Sequence, residues 1–162
     1  MAKYRHIVFD VDGTLIDTRD CILYSLQEML MTVKGERYEI EDLKFVLANT
    51  SVKNMHLLGV EEEKIPGAVE MWVANEEKNI DMIRIFDGIE LLEKLEKKGS
   101  TLGVVTSRTR EELELVLDQL PIRKYFSICI CADDTKEHKP SAQPLLKYME
   151  LSGARKEETV YI

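Results

Sequence analysis

Residues 4–15, YRHIVFDVDGTL, decide the fold class of this chain. The first six of them are mostly β-branched or aromatic, a composition that predicts a buried strand. The apolar run stops abruptly at the polar turn DVDGT, residues 10–14, so Asp10 is predicted to lie at the carboxyl end of the first strand. An acidic side chain in that position lies at the edge where open α/β sheets bind their ligands.

Strand and helix patterns alternate from residue 85 onward. Because such alternation is typical of a parallel sheet with right-handed crossovers, the predicted fold class is α/β with a Rossmann-like parallel sheet. The predicted strands are residues 101–105, 127–132 and 159–162, and the predicted helices are residues 89–99, 111–120 and 142–152.

The region between the first strand and residue 85 has a different pattern. Apolar residues at helical spacing over 19–33, with Gly35 as a left-handed end, predict a long helix, and shorter helices are predicted over 41–48 and 51–58. Pro66 is expected to be the first residue of another helix, and Ser51 and Asp87 are expected to cap helices. Residues 18–84 are therefore predicted to form a helical domain inserted into a core made of residues 1–17 and 85–162.

The composition of the chain limits the kinds of partner and location that are expected for it. A net charge of −8 over 162 residues argues against a general nucleic-acid surface, and no apolar run is long enough to span a membrane. The N-terminus lacks the apolar stretch of a secretory signal, so the expected location is cytoplasmic. The three cysteines are expected to be free thiols, and the chain is expected to be a monomer or a weak dimer.

Polar residues follow three of the predicted strands. Asp10 and Asp12 follow the first, Thr106 and Ser107 the second, and Lys139 lies in the loop beyond the third. In a parallel sheet these loops converge on one edge. Two carboxylates two residues apart can divide phosphoryl transfer, one attacking phosphorus and the other exchanging a proton with the leaving oxygen.

The repulsion between a phosphate and these carboxylates must be offset by positive charge. Lys139 supplies one cation, and Mg²⁺ bound to hard oxygen ligands such as the Asp10 carboxylate would supply more. The hydroxyl of Thr106 and backbone N–H groups of the turn are suited to hold the remaining phosphoryl oxygens.

At these residues the sequence resembles the haloacid dehalogenase (HAD) superfamily. Residues 10–15 (DVDGTL) are similar to its first signature, residues 102–107 (LGVVTS) to its second, and Lys139-Pro140, followed by Pro144 and Leu145, to its third. The resemblance covers essentially the whole chain in the right order. The insertion is similar to the helical first-type cap of phosphoglycolate phosphatases and β-phosphoglucomutases.

The resemblance implies a Mg²⁺-dependent phosphatase that acts on a small phosphorylated metabolite, with phosphoglycolate and pyrophosphate as leading candidates. Asp10 would become an aspartyl phosphate, Asp12 would act as general acid and base and bind the metal with Asp10, and Thr106, Ser107 and Lys139 would bind the phosphate. A fourth signature, which would begin with Gly-Asp after Ile162, is not present. The resemblance therefore implies a C-terminally truncated member with an incomplete sheet, in which loss of an acidic ligand is expected to weaken Mg²⁺ binding and activity.

Several alternatives remain open on the sequence alone. A sugar-phosphate phosphomutase would share these signatures, and a non-catalytic phosphate-binding module would retain the site without turnover. The Asp-x-Asp-Gly turn and Lys139 also occur as ordinary solvated loop residues. A receiver-type signalling domain is disfavoured, because its accepting Asp follows the third strand and no helical insertion intervenes.

Overall fold

The computed structural model describes residues 4–162, so the first three residues of the predicted core segment 1–17 lie outside it. The described chain divides into two compact units. One unit comprises residues 4–16 and 85–162, and the other is Asp17–Arg84. The short strands β2 (Ile16–Asp17) and β3 (Arg84–Ile85), which pair with each other, mark the two points where the chain passes from one unit to the other.

The first unit is built on a four-stranded parallel sheet whose strands are β1 (His6–Phe9), β4 (Thr101–Val105), β5 (Phe126–Ile130) and β6 (Thr159–Tyr161). The order of the strands across the sheet is β5-β4-β1-β6. The α/β prediction and its parallel sheet are confirmed. Strand β5 begins and ends earlier than the predicted strand 127–132. Strand β1 does not include residues 4 and 5, which were predicted to belong to it.

Strand β1 lies inside the sheet between β4 and β6. His6 is in register with Thr101 on one side and with Thr159 on the other. Beyond the strand, the N–H of Asp10 donates to the carbonyl of Ile162 over 2.8 Å. The backbone that carries Asp10 is therefore tied to the sheet on the β6 side as well.

Three helices belong to this unit: α5 (Ile89–Lys97), α6 (Arg110–Leu117) and α7 (Gln143–Ser152). The prediction that Asp87 caps the first of them is wrong, because the capping residue is Gly88, whose φ of 135° suits glycine. Helix α6 starts with a capping box, in which Thr109 accepts from the N–H of Glu112 and the Glu112 carboxylate accepts from the N–H of Thr109.

Helix α7 approaches the sheet at Gly103 in β4. A Cβ placed at Gly103 would overlap Cε2 of Tyr148 and would lie 2.9 Å from Cζ of the same ring. Tyr148 is fully buried, and its hydroxyl lies 3.3 Å from Nδ1 of His6. The absence of a side chain at Gly103 thus allows an aromatic ring to pack directly on the strand.

The second unit is helical and has its own core. Its helices are α1 (Arg19–Lys34), α2 (Ile40–Leu43), α3 (Ser51–Leu57) and α4 (Ile65–Lys78), with 3₁₀ turns at Lys44–Ala48, Glu62–Lys64 and Ile80–Met82. Leu26, Met55 and Trp72 lie in a single buried cluster, and the indole N–H of Trp72 donates to the carbonyl of Ile22.

Local details of this unit differ from the predictions. Helix α1 does end at a left-handed Gly35, with φ of 70°. The N-cap of α3 is Thr50, not Ser51, since the Thr50 hydroxyl accepts from the N–H of Lys53. Helix α4 starts at Ile65, so Pro66 is its second residue and not its first. Within residues 4–162 no helix has the length and apolar character needed to cross a membrane.

Candidate active site

Asp10 and Lys139 form an ion pair at the carboxyl edge of the parallel sheet. The ammonium nitrogen of Lys139 lies 2.8 Å from Oδ1 of Asp10, and the backbone N–H of Val11 donates to the same oxygen over 2.8 Å. About a quarter to a third of each charged side chain is exposed. Strand β1 and the loop beyond β5 thus bring a carboxylate and an ammonium group together, as expected for the carboxyl ends of parallel strands.

Tyr161, at the end of β6, holds Lys139 from the other side. The ammonium of Lys139 donates to the Tyr161 hydroxyl over 3.1 Å, and that hydroxyl donates to the carbonyl of Val105 over 3.3 Å. Burial raises the pKa of the Tyr161 phenol, and the adjacent Lys139 opposes this only in part. The phenol therefore stays neutral at physiological pH and keeps the proton that it donates to Val105.

Lys139 itself stays cationic. Burial disfavours its charged form, but the hydrogen bond to Asp10 and the charge of Asp10, together with Tyr161, outweigh that cost and raise its pKa above the ordinary 10.5. The positive charge expected beside Asp10 is consequently present throughout the neutral pH range.

Asp12 is bound by Arg108, a residue for which the sequence analysis assigned no role. Nε of Arg108 donates to Oδ2 of Asp12 over 2.9 Å and to Oδ1 over 3.2 Å, and the terminal Nη2 donates to Oδ1 over 3.0 Å. The Arg108 side chain is 8% exposed and that of Asp12 is 24% exposed. This is the bidentate fork geometry that makes arginine–carboxylate pairs strong and directional.

Thr106 and Ser107 lie in the loop after β4. Thr106 is buried, its N–H donates to the carbonyl of Ile130, and its hydroxyl accepts from the N–H of Arg108 over 3.2 Å. Ser107 is partly exposed between Thr106 and Arg108. Thr106 is thereby connected through Arg108 to Asp12, whereas the structure gives Ser107 no corresponding contact among the residues it describes.

The acidic residues here fit part of a magnesium site. In residues 4–162 no three His, Cys, Asp or Glu side chains are arranged to hold a metal ion. Mg²⁺, however, usually retains several waters and needs only one or two protein carboxylates together with substrate phosphate. A carboxylate at Asp10 and a backbone carbonyl at Asp12 are hard oxygen ligands of the right kind.

Arg108 and Tyr161 were missed by sequence reasoning for different reasons. Arg108 directly follows Thr106-Ser107 in a loop predicted to reach the site, so a basic residue there was a usable signal. Tyr161 resembled an ordinary strand residue, and only the pairing of β6 with β1 brings its hydroxyl to Lys139.

Comparisons with a family model, with curated proteins and with solved structures all relate this chain to hydrolases. The family model for haloacid dehalogenase-like hydrolases matches residues 7–162. The pyrophosphatase PpaX of Bacillus cereus (strain AH820) is 28% identical over 166 residues, covering 99% of this chain and 74% of its own length. A crystal structure from Lactobacillus plantarum, assigned as a phosphoglycolate phosphatase, has a TM-score of 0.86 and 25% identity, covering 99% of this chain and 77% of its own.

A more distant structure shares the fold. A Thermotoga maritima protein assigned as a β-phosphoglucomutase superposes with a TM-score of 0.74 at 20% identity, covering 97% of this chain and 74% of its own. The chain thus has an α/β fold with a parallel sheet, and Asp10 and Lys139 lie together at the carboxyl edge of that sheet. The chain belongs to the haloacid dehalogenase-like hydrolase family, so the family resemblance seen in the sequence is confirmed and the protein is an enzyme of that family.

Proposed function

We propose that the chain is a Mg²⁺-dependent phosphatase that cleaves a small phosphate ester or phosphoanhydride through an aspartyl phosphate on Asp10. The observation that supports this most directly is the contact of 2.8 Å between Lys139 and Asp10, next to a second acid at Asp12. The names of the relatives, pyrophosphatase and phosphoglycolate phosphatase, point to pyrophosphate-like and phosphoglycolate-like substrates.

In the first half-reaction an Asp10 carboxylate oxygen attacks phosphorus, and the bond from phosphorus to the leaving oxygen breaks. Asp12, which must be protonated at this stage, gives that proton to the leaving oxygen. Lys139 offsets the negative charge brought by the phosphoryl group, and Thr106 with Ser107 bind its peripheral oxygens. These residues must be held rigidly before the substrate arrives, and the ion pairs of the site supply that order.

In the second half-reaction a water attacks the phosphorus of the aspartyl phosphate. Asp12 now accepts a proton from that water, the bond from phosphorus to the Asp10 oxygen breaks, and inorganic phosphate leaves. Asp10 is thereby regenerated as a carboxylate, and Asp12 again holds the proton that it gave to the leaving oxygen.

Asp10, through its carboxylate, and Asp12, through its backbone carbonyl, would hold the Mg²⁺. When bound, the metal supplies positive charge that polarises the phosphoryl oxygens. Residues 18–84 are proposed to form the cap domain on the strength of the sequence resemblance, and a small phosphorylated metabolite is the proposed partner.

The test is Mg²⁺-dependent phosphate release from pyrophosphate, phosphoglycolate, sugar phosphates and nucleotides by the wild-type chain and by Asp10→Asn. Removal of a covalent nucleophile is expected to lower turnover by at least about 10³-fold. Asp118→Asn is the matched control, since Asp118 is 64% exposed at the end of α6 and should behave like the wild type.

Undiminished turnover in Asp10→Asn would contradict the covalent mechanism. Absence of turnover in the wild type on every substrate, with phosphate still bound, would favour a phosphate-binding module. Transfer of phosphate between hydroxyls of a sugar phosphate without its release would instead identify a phosphomutase.

A further inference from the structure

Tyr161 reaches across the carboxyl edge of the parallel sheet from β6 to β4. Its backbone is in register with Val8 of β1, the strand that leads to Asp10. Its hydroxyl donates to the carbonyl of Val105, the last residue of β4, over 3.3 Å. Because this bond uses the phenolic proton, the oxygen accepts from the Lys139 ammonium, which lies 3.1 Å away. Tyr161 is therefore attached to the sheet at both ends and offers Lys139 a fixed acceptor.

The ammonium that Tyr161 holds is directed at one particular oxygen of Asp10. Oδ1 of Asp10 lies 2.8 Å from the Lys139 nitrogen and also accepts from the N–H of Val11 over 2.8 Å. Both contacts are made to Oδ1, so Oδ2 is the oxygen left available to attack phosphorus. Lys139 is consequently placed beside the oxygen that stays unphosphorylated in the aspartyl phosphate.

The negative charge on Oδ1 differs between the two half-reactions. While Oδ2 is bonded to phosphorus, Oδ1 is the carbonyl oxygen of a mixed anhydride and carries little charge. When water displaces Asp10 from phosphorus, the carboxylate forms again and its charge is shared between both oxygens. A cation already held at Oδ1 stabilises the transition state in which that charge develops. Attack by Asp10 gains nothing from a cation there, because charge leaves the carboxylate in that step.

We propose that Tyr161 is a positioning residue for hydrolysis of the aspartyl phosphate, because it holds the Lys139 ammonium beside Oδ1 of Asp10. In this step the water oxygen bonds to phosphorus, one water proton passes to Asp12, and the electron pair of the broken bond to Oδ2 stays on Asp10. The phosphoryl group attracts the same ammonium, and the flexible stem of Lys139 would let it move away from Oδ1. The Tyr161 hydroxyl opposes that movement. This inference rests on the proposed phosphatase function and assigns one of its steps to Tyr161.

Tyr161→Phe removes the hydroxyl alone. The ring, whose centroid lies 5.9 Å from the Lys139 nitrogen, is retained. Tyr125→Phe is the matched control, since Tyr125 lies in the 3₁₀ turn before β5 and hence at the amino edge of the sheet, opposite Asp10. Urea denaturation followed by circular dichroism checks that both variants remain folded.

The kinetic test follows the phosphorylated protein directly. With Mg²⁺ and ³²P-labelled pyrophosphate or phosphoglycolate, whichever the wild type hydrolyses, acid quenching measures incorporation of label, and a chase with unlabelled substrate measures its loss. Tyr161→Phe should slow the loss by about 10- to 100-fold, the value of one hydrogen bond to a charged group, and leave incorporation near the wild-type rate. kcat should therefore fall, while kcat/KM, which reports the steps up to phosphorylation, should stay nearly constant.

An NMR measurement tests the position of Lys139 without turnover. The order parameter of its ¹³Cε group reports how rigidly the ammonium end of the side chain is held. Loss of the signal in Lys139→Arg identifies it. The order parameter should decrease in Tyr161→Phe and stay at the wild-type value in Tyr125→Phe.

The outcomes separate this inference from the proposed function. Equal slowing of incorporation and loss would show a general structural effect of Tyr161 and overturn the inference. Unchanged loss of label, or a Lys139 side chain that stays equally ordered in Tyr161→Phe, would also overturn it while leaving the phosphatase proposal intact. Absence of turnover and of labelled protein in the wild type would contradict the phosphatase proposal itself, and this inference with it.

Discussion

The ammonium group of Lys139 is held from three directions. Asp10 provides the ion pair, the Tyr161 hydroxyl accepts at 3.1 Å, and the carbonyl of Val105 lies at 3.5 Å, the outer limit of a hydrogen bond. A long side chain loses much rotamer freedom when it is ordered in this way. The Lys139 side chain is already ordered when the protein folds, so its loss of conformational entropy is not an additional cost of substrate binding.

Cys131 illustrates the opposite case, a reactive group that its surroundings make inert. Burial raises the pKa of its thiol to about 12, even though the nearby Arg110 acts in the other direction. Because only the thiolate is nucleophilic, native Cys131 should react with iodoacetamide at pH 8 about 10³-fold more slowly than an unperturbed cysteine. Peptide mass spectrometry after timed alkylation measures this rate.

The same cysteine in urea-unfolded protein is the control and should react at the ordinary rate. The native rate should rise roughly tenfold per pH unit above pH 8, because each unit increases the thiolate fraction tenfold. Rapid labelling of native Cys131 at pH 8 would show that the thiol is not protected.

At the level of single residues, sequence reasoning predicted that certain polar groups would converge but did not define their partners. Asp10 and Lys139 were expected to converge because parallel strands end at one edge, and they are in contact. Their catalytic roles stay predictions. That Arg108 binds Asp12 depends on side-chain rotamers, which periodicity and composition do not encode.

Among the secondary-structure elements, the packing of α7 on β4 depends on Gly103. Replacing Gly103 with Ala introduces a methyl group into the space of the Tyr148 ring. Overpacking of this kind is expected to lower the free energy of unfolding by about 1–3 kcal/mol. Urea denaturation followed by circular dichroism measures the change.

Gly67→Ala is the matched control, since Gly67 is exposed in α4 and a Cβ there meets nothing within 4 Å. It should be neutral or stabilise the protein by up to about 1 kcal/mol, because alanine favours helix. If Gly103→Ala were equally harmless, the close contact between Tyr148 and β4 would be refuted.

The types of the secondary-structure elements were predictable from the sequence, whereas the residues at which they begin and end were less predictable. All four strands of the parallel sheet lie where apolar β-branched runs indicated them, and glycine placed the end of α1 correctly. The N-cap of α3 was missed because Thr50 and Ser51 are both good capping residues. Only the observed backbone, extended at Thr50 and helical from Ser51, distinguishes them.

Considered as a whole, the molecule has separate hydrophobic cores in its two units. Leu26 is fully buried in the core of the helical unit, which also contains Trp72, the single tryptophan of the chain. Leu26→Ala should therefore lower the free energy of unfolding seen by tryptophan fluorescence by about 2–5 kcal/mol, through lost burial and a cavity.

Leu57→Ala provides the comparison in the same unit. Leu57 is 57% exposed on α3, so its truncation should change the free energy of unfolding by no more than about 0.5 kcal/mol. Equal effects of the two substitutions would mean that Trp72 does not report on a core that contains Leu26.

The fold class was predictable at this scale because alternating strands and helices have few allowed topologies. The inserted helical region was recognisable from the change in periodicity after the first strand. The sequence resemblance predicts phosphoglycolate-like or pyrophosphate-like substrates, and the identity of the substrate stays a prediction.

The position of β1 in the sheet has a consequence for biosynthesis. Strand β1, which carries Asp10, is synthesised well before its neighbour β6, and the N–H of Asp10 bonds to Ile162. A nascent chain emerging from the ribosome therefore contains Asp10 and Asp12 before the β6 side of this sheet edge has formed. Any premature termination upstream of β6 would release a polypeptide in which β1 lacks one of its two neighbours, a vulnerability that arises from strand order.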